Sequence, residues 1–158
     1  MSIGVTRVVP DRSLEIAVMA GELLEEIMDT INVRAFNFVL NEANARLKEF
    51  ISSDKYFVLA ATDEERMAEV GFVTMYESYS IYAEGAFGTI PELYVRPAYR
   101  QRQVGKALLD AAKLFGAQHG WKRLEVTTPP IPQFQRTLAF YEREGFAVSG
   151  GRKLQVGL

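Results

Sequence analysis

Between residues 87 and 128 the chain changes character from strand to helix and back to strand. FGTIPELYVR (87–96) is built from β-formers, and Val104, Ala107, Leu108, Ala111, Leu114 and Phe115 recur at the spacing of one helical face. RLEVTT (123–128) then returns to strand composition. A helix that joins two strands of one sheet crosses right-handed and leaves those strands parallel, with a ligand crevice beyond their ends. The expected fold class is therefore α/β, with a mixed, partly parallel central sheet flanked by helices. Pro91 has no N–H to give to a ladder, so the first of these strands should carry a bulge or lie at an edge there.

The remaining segments fit around this unit. Asp11 and Ser13 are placed to cap a helix whose apolar residues are Ile16, Ala20, Leu23, Leu24, Ile27 and Ile31. A second helix is marked by Phe36, Val39, Leu40, Ala43, Leu47, Phe50 and Ile51. YFVLAAT (56–62) and AEVGFVTMY (68–76) flank a charged turn as a hairpin, and ESYSIYAEGAFG (77–88) reads as a loop. Gly120 is placed to stop the long helix, QRTLAFYERE (135–144) is a short helix ended by Gly145, and FAVSG with KLQVG reads as a last pair of strands. No repeat or linker-like tract divides the 158 residues, which suits a single domain spanning 1–158.

Composition narrows the chemistry. Zero cysteines remove thiolate nucleophiles, disulfides and Cys-ligated metals, and the lone His119 cannot form a His cluster, so no metal site is expected. A net charge of -2 lacks the basic surplus of a general nucleic-acid binder, so no nucleic-acid partner is expected. No run approaches the roughly 18 apolar residues of a membrane span, and MSIGVTRVVPDRS lacks the pattern of a secretory signal. A cytoplasmic location with no membrane partner is the resulting expectation.

Arg96, with Arg100, Arg102 and Lys106 of YRQRQVGKALL (99–109), then forms a local basic cluster where the chain enters the helix. A helix start presents unpaired backbone N–H groups and a partial positive charge, which together suit an anion. Phosphate is the expected anion, with Gly105 letting the backbone approach and Arg100, Arg102 and Lys106 adding charge-assisted hydrogen bonds. A Walker loop is excluded because Gly105-Lys106 is followed by Ala107, and a dinucleotide fingerprint is excluded because a single glycine is present. A solvated basic helix start with a packing glycine is the plainer alternative.

The stretch LYVRPAYRQRQVGKALLDAA, followed about a strand later by TLAFYEREGF, resembles the GNAT family of N-acetyltransferases. The family's pyrophosphate motif maps onto Arg100, Gln103 and Gly105, with Gln103 where glycine is usual; Phe134 and Thr137 stand where Asn and Ala are usual. The resemblance covers roughly residues 70 to 158, and the first 60 follow by element order alone. It implies a GNAT-like fold and direct acetyl transfer from acetyl-CoA to a primary amine of a small-molecule or peptide acceptor. It also implies a pantetheine arm lying between splayed strands at 87–96 and 123–128. The cofactor-binding residues implied are Leu93, Tyr94, Val95, Arg100, Gln101, Arg102, Gln103, Val104, Gly105, Lys106, Phe134 and Phe140.

An alkyl ammonium of pKa about 10.4 must lose a proton before it attacks a thioester. Glu92, on the strand that should pass the thioester, is either that base or an orienting carboxylate. The resemblance makes Tyr141 the proton donor to the leaving thiolate; a core tyrosine is the alternative. Val95 N–H is the candidate oxyanion donor. Glu22, Glu25, Glu26 and Asp29 read as a solvated helix face, with attraction of a cationic acceptor as the sharper alternative. Tyr76, Tyr79 and Tyr82 suit loop packing, the acceptor site or the contact of a homodimer. A CoA-binding regulatory module without turnover is the rival function.

Overall fold

A computed structural model describes residues 1–158 as two compact units, Met1–Thr127 and Thr128–Leu158. The first unit carries the sheet. Its strands are β1 (Ile3–Arg7), β2 (Phe57–Asp63), β3 (Ala68–Ser80), β4 (Gly85–Ile90), β5 (Leu93–Val95) and β6 (Leu124–Val126). Its helices are α1 (Ser13–Ile31), α2 (Leu40–Ser52) and α3 (Val104–Gln118). The spatial order is β1-β2-β3-β4-β6, with β5 continuing beside β3. All pairings are antiparallel except β4 with β6, which the α3 crossover makes parallel.

The two faces of the sheet are covered differently. Ile16, Ala17 and Met19 of α1 and Leu47 and Ile51 of α2 pack with Val58, Ala60, Phe72 and Tyr94. Helix α3 packs on β2 and β3, burying Val104, Leu108, Leu109, Ala112 and Phe115. These stripes are the apolar periodicities of the sequence. At Gly88 a Cβ would meet the Trp121 ring and stand 2.7 Å from Leu124 Cδ2, so only glycine lets β4 approach the turn into β6.

Several local expectations are corrected. Residues 77–80 continue β3 instead of forming a loop, because Tyr76 to Ser80 pair with Gly85 to Thr89. The second helix begins at Leu40, not near Phe36. Ser13 caps nothing with its side chain; its hydroxyl bonds Asn44 of α2 at 2.6 Å, tying the two helices together. In the second unit, α4 (Gln135–Arg143) forms as expected and Gly145 follows with φ +95°. The last pair of strands does not form: residues 146–158 have no regular structure, since FAVSG and KLQVG find no ladder partner within the chain.

Candidate active site

The decisive local event is at Pro91. Tyr76 of β3 pairs with Thr89 and Val73 pairs with Leu93, so three steps along β3 correspond to four along the facing chain. One residue is therefore inserted between β4 and β5, a β-bulge of the kind a donor-less proline permits. Glu92 O accepts from Thr74 N at 2.9 Å and Val70 O accepts from Arg96 N at 2.8 Å. Antiparallel alternation then turns residues 92, 94 and 96 toward β3 and the N–H and C=O of Leu93 and Val95 away from it. On that outer side the neighbour is missing: β6 pairs with Gly88, Thr89 and Ile90 and follows β5 no further. The strands splay there, leaving backbone groups for an extended ligand.

Past β5 the chain makes a short helical turn at Pro97–Tyr99 and enters α3. Gln101 (φ 59°) and Gln103 (φ 66°) are both left-handed, with Arg102 between them at negative φ. Such alternation turns successive N–H groups toward one side, a concavity suited to anions. The first intrahelical bond runs from Ala107 N to Gln103 O at 3.0 Å, so the amides of Val104 and Gly105 precede the helical ladder. The splayed edge of β5 thus leads directly into a helix start whose first amides lie outside the ladder.

A model of the acetyltransferase (GNAT) domain matches residues 53–148. The chain belongs to the GNAT acetyltransferase family. YhfO of Bacillus subtilis (strain 168), an uncharacterized N-acetyltransferase, is 30% identical over 112 residues, which cover 71% of this chain and 72% of that protein. Among solved structures, the aminoglycoside acetyltransferase meta-AAC0020 from an uncultured soil metagenomic sample, in complex with trehalose, has a TM-score of 0.77 at 20% identity, covering 99% of this chain and 96% of that one. The aminoglycoside N-acetyltransferase AAC(6')-Iy in complex with CoA has a TM-score of 0.79 at 15% identity, covering 99% and 95%. At these identities the two structures speak for the fold.

Within this GNAT domain the residues named from the sequence separate into groups. Leu93 and Val95 present backbone groups at the open edge, whereas Tyr94 does not. Its backbone faces Phe72 of β3, and its buried ring lies 6.4 Å from Phe72, with the hydroxyl donating to Glu22 at 3.2 Å. Alternation along the strand makes Tyr94 a core residue, and burial, then the Glu22 charge, push its pKa up to about 12.

The basic cluster also divides. Arg100 donates to both carboxylate oxygens of Glu26, at 2.7 and 2.9 Å, and its Nε donates to Val95 O at 2.9 Å. Arg96 donates to Glu15 and Glu22 of α1 and to Glu69 O. Both guanidiniums clamp the β5–α3 connection to α1. Their acidic partners Glu22 and Glu26 are therefore not the open helix face expected, and Arg34 engages Glu25 and Asp29. The Arg102 guanidinium lies 5.9 Å from the Tyr99 ring, and Lys106 pairs with Asp110 at 2.7 Å. The side chains of Arg96 and Arg100 are engaged with α1, so at the α3 start it is the backbone of Gln101, Gln103, Val104 and Gly105 that remains outside the helical ladder.

Glu92 is half-buried on the α1/α2 side of the sheet. Thr74 Oγ1 donates a short bond to Glu92 Oε2, Tyr56 OH donates to Oε1 at 3.4 Å, and Glu92 N donates to Thr74 Oγ1 at 3.1 Å. Burial raises the Glu92 pKa, opposed by the hydroxyl donors Thr74 and Tyr56. Tyr56 is itself raised, first by burial and then by the Glu92 charge, and its ring stacks 6.3 Å from Tyr76. Thr74 and Tyr56 were not found from the sequence: only the bulge brings Glu92 into register with them.

In the second unit Phe134 is half-buried just before α4. Tyr141 is 5% exposed, its ring 5.3 Å from Phe140 and 5.4 Å from Phe146. Burial pushes its phenol up to about 12. No helix of the chain is long and apolar enough to cross a membrane.

Proposed function

We propose that this GNAT N-acetyltransferase moves the acetyl group of acetyl-CoA directly to a primary amine of a small-molecule or peptide acceptor. The observation that carries the reading is the bulge at Pro91 and Glu92, which turns the Leu93 backbone and the Val95 N–H to an open edge running into the α3 start, while Val95 O accepts from Arg100. The pyrophosphate of the cosubstrate suits the amides from Gln101 to Gly105, and its amide-bearing arm suits the open edge of β5. The aminoglycosides acetylated by the structural relatives are themselves polyamines, which supports an amine acceptor here.

In the proposed sequence an acceptor ammonium loses its proton to Glu92, directly or through water, and the amine attacks the thioester carbonyl. The carbonyl oxygen gains charge as the C–N bond forms, and Val95 N–H is the proposed donor to it. The C–S bond then breaks, and Tyr141 supplies a hydrogen bond or proton to the departing thiolate. The amide, free CoA and one proton leave. A half-buried carboxyl with a raised pKa is better matched to accept a proton near neutral pH than an ordinary one. Phe134 and Phe140 are proposed as apolar packing for the cosubstrate. With no cysteine in the chain, no acyl-thioenzyme is available and transfer is direct.

Incubation with acetyl-CoA and a panel of amines, following free thiol against a control without acceptor, tests this. Acceptor-dependent thiol is the expected result. CoA binding with no thiol release from any amine would favour the regulatory module.

A further inference from the structure

Along the α1/α2 face of β3 the side chains change kind at alternate positions. Phe72, opposite Tyr94, belongs to the core; Thr74 is bonded to Glu92; and Tyr76 is 37% exposed. Tyr56, at the entry to β2, joins the last two, because its hydroxyl donates to Glu92 and its ring stacks with that of Tyr76. The Glu92 carboxylate therefore stands beside a pair of tyrosines, of which Tyr76 is the more open. The charges in this unit are unevenly matched. The acids of α1 all have arginine partners: Glu15 and Glu22 pair with Arg96, Glu26 with Arg100, and Glu25 and Asp29 with Arg34. Glu92 is held instead by the hydroxyls of Thr74 and Tyr56, which leave its charge uncompensated. Further along the same face Ser78 and Thr89 bond each other at 2.7 Å and add no charge. The neighbouring acid Glu77 lies on the opposite face, where Trp121 Nε1 donates to it at 2.8 Å.

We propose that Tyr76 is a specificity-determining residue of the acceptor site, and that with Glu92 it selects a primary amine carrying one positive charge beside an apolar group. The inference rests on the transfer reading above and narrows its acceptor. One carboxylate compensates one ammonium, and a second cation brought to this face would lose water with no carboxylate to meet it. An aromatic ring beside the carboxylate attracts the same ammonium through its π face and packs against the carbon that carries it. A lone carboxylate flanked by tyrosines and neutral hydroxyls is thus matched to a monoamine, and it discriminates against a polyamine by what it does not offer.

Calorimetric titration of amines in the presence of CoA reads binding apart from turnover, and acceptor-dependent thiol release from acetyl-CoA reads turnover. Phenethylamine and hexylamine should be preferred to spermidine and kanamycin by roughly tenfold or more in both. Phenethyl alcohol, which lacks the charge, should not compete. Tyr76→Leu keeps apolar volume and removes the π system, so it should raise the Kd and KM of phenethylamine roughly 2- to 30-fold with kcat nearly unchanged. Tyr76→Phe should restore the parent values. Polyamines favoured over both monoamines, a folded Tyr76→Leu protein equal to the parent, or a loss that Phe does not restore would each overturn the inference and leave amine transfer standing. If Tyr76→Leu fails to fold, the order of the four amines on the parent chain decides alone. Thiol release from no amine would fall on the transfer reading instead, and calorimetry would still read the selection; binding of none of the amines would overturn the selection as well.

Discussion

Glu92 and Tyr141 can be read atom by atom. Burial makes the folded Glu92 carboxyl hold its proton more tightly than the unfolded chain does. Its contribution to stability is therefore present below the ordinary carboxylate range, roughly pH 4.3, and is lost as pH rises through the raised value. Glu92→Gln cannot ionise and keeps an oxygen for Thr74 and Tyr56. Its stability relative to the parent should increase as pH rises above the ordinary carboxylate range and level off once the raised value is passed, in denaturant titrations. Its kcat/KM should fall about 10²- to 10⁴-fold at neutral pH and recover partly in alkali, where acceptor amine is already neutral. A loss equal at every pH would make Glu92 an orienting group. For Tyr141, a phenol held near 12 stays protonated, and full transfer to a thiolate of pKa near 8.5 is uphill by about 5 kcal/mol. The role proposed for it is then mainly a hydrogen bond to developing charge. Tyr141→Phe should lower kcat about 10- to 150-fold with the acetyl-CoA Kd within a few-fold. Unchanged turnover in a folded variant would return Tyr141 to the core.

At the scale of elements, the bulge and the α3 start follow one another along the chain as the two parts of the proposed cosubstrate site. The bulge redirects β5 so that its outward amides have no partner, and the left-handed turns at Gln101 and Gln103 aim the next amides along the same path. A left-handed backbone costs a side-chain-bearing residue about 1–2 kcal/mol, partly offset because glycine loses more chain entropy on folding. Gln103→Gly should therefore raise stability by up to about 1 kcal/mol and leave CoA affinity equal or improved, by thermal unfolding and calorimetry. Weaker CoA binding would show that the Gln103 side chain itself touches the ligand. By contrast, Gly105→Val adds atoms in the first turn of α3 and should weaken CoA binding without comparable gain in stability. The arginine clamps of Arg96 and Arg100 on α1 explain how so short a connection is held in place.

For the whole molecule, a ligand that binds only the native state stabilises it by mass action. Acetyl-CoA at about a hundred times its Kd should add about 2.7 kcal/mol, which for a chain this size is a rise in Tm of roughly 5–10 °C. No shift at millimolar concentration would refute the proposed cosubstrate site. The elements follow from the residues: apolar periodicity marked α1, α3, α4 and the β2–β3 hairpin, and the β4–α3–β6 pattern implied the one parallel pairing, because these signals are local. Pro91 likewise announced a bulge or an edge, since a residue without an N–H cannot continue a ladder, and the register between β4 and β5 shows the bulge. Tertiary structure decided the rest. Whether Tyr94 faced a ligand or the core depended on strand parity after the inserted residue. Whether Arg100 met an anion or Glu26 depended on α1 arriving from 74 residues away in the chain. Thr74 and Tyr56 joined Glu92 only once three separate segments were in register. The C-terminal alternation is the remaining instance: strand propensity is written in those residues, but a strand exists only where another backbone completes its hydrogen bonds.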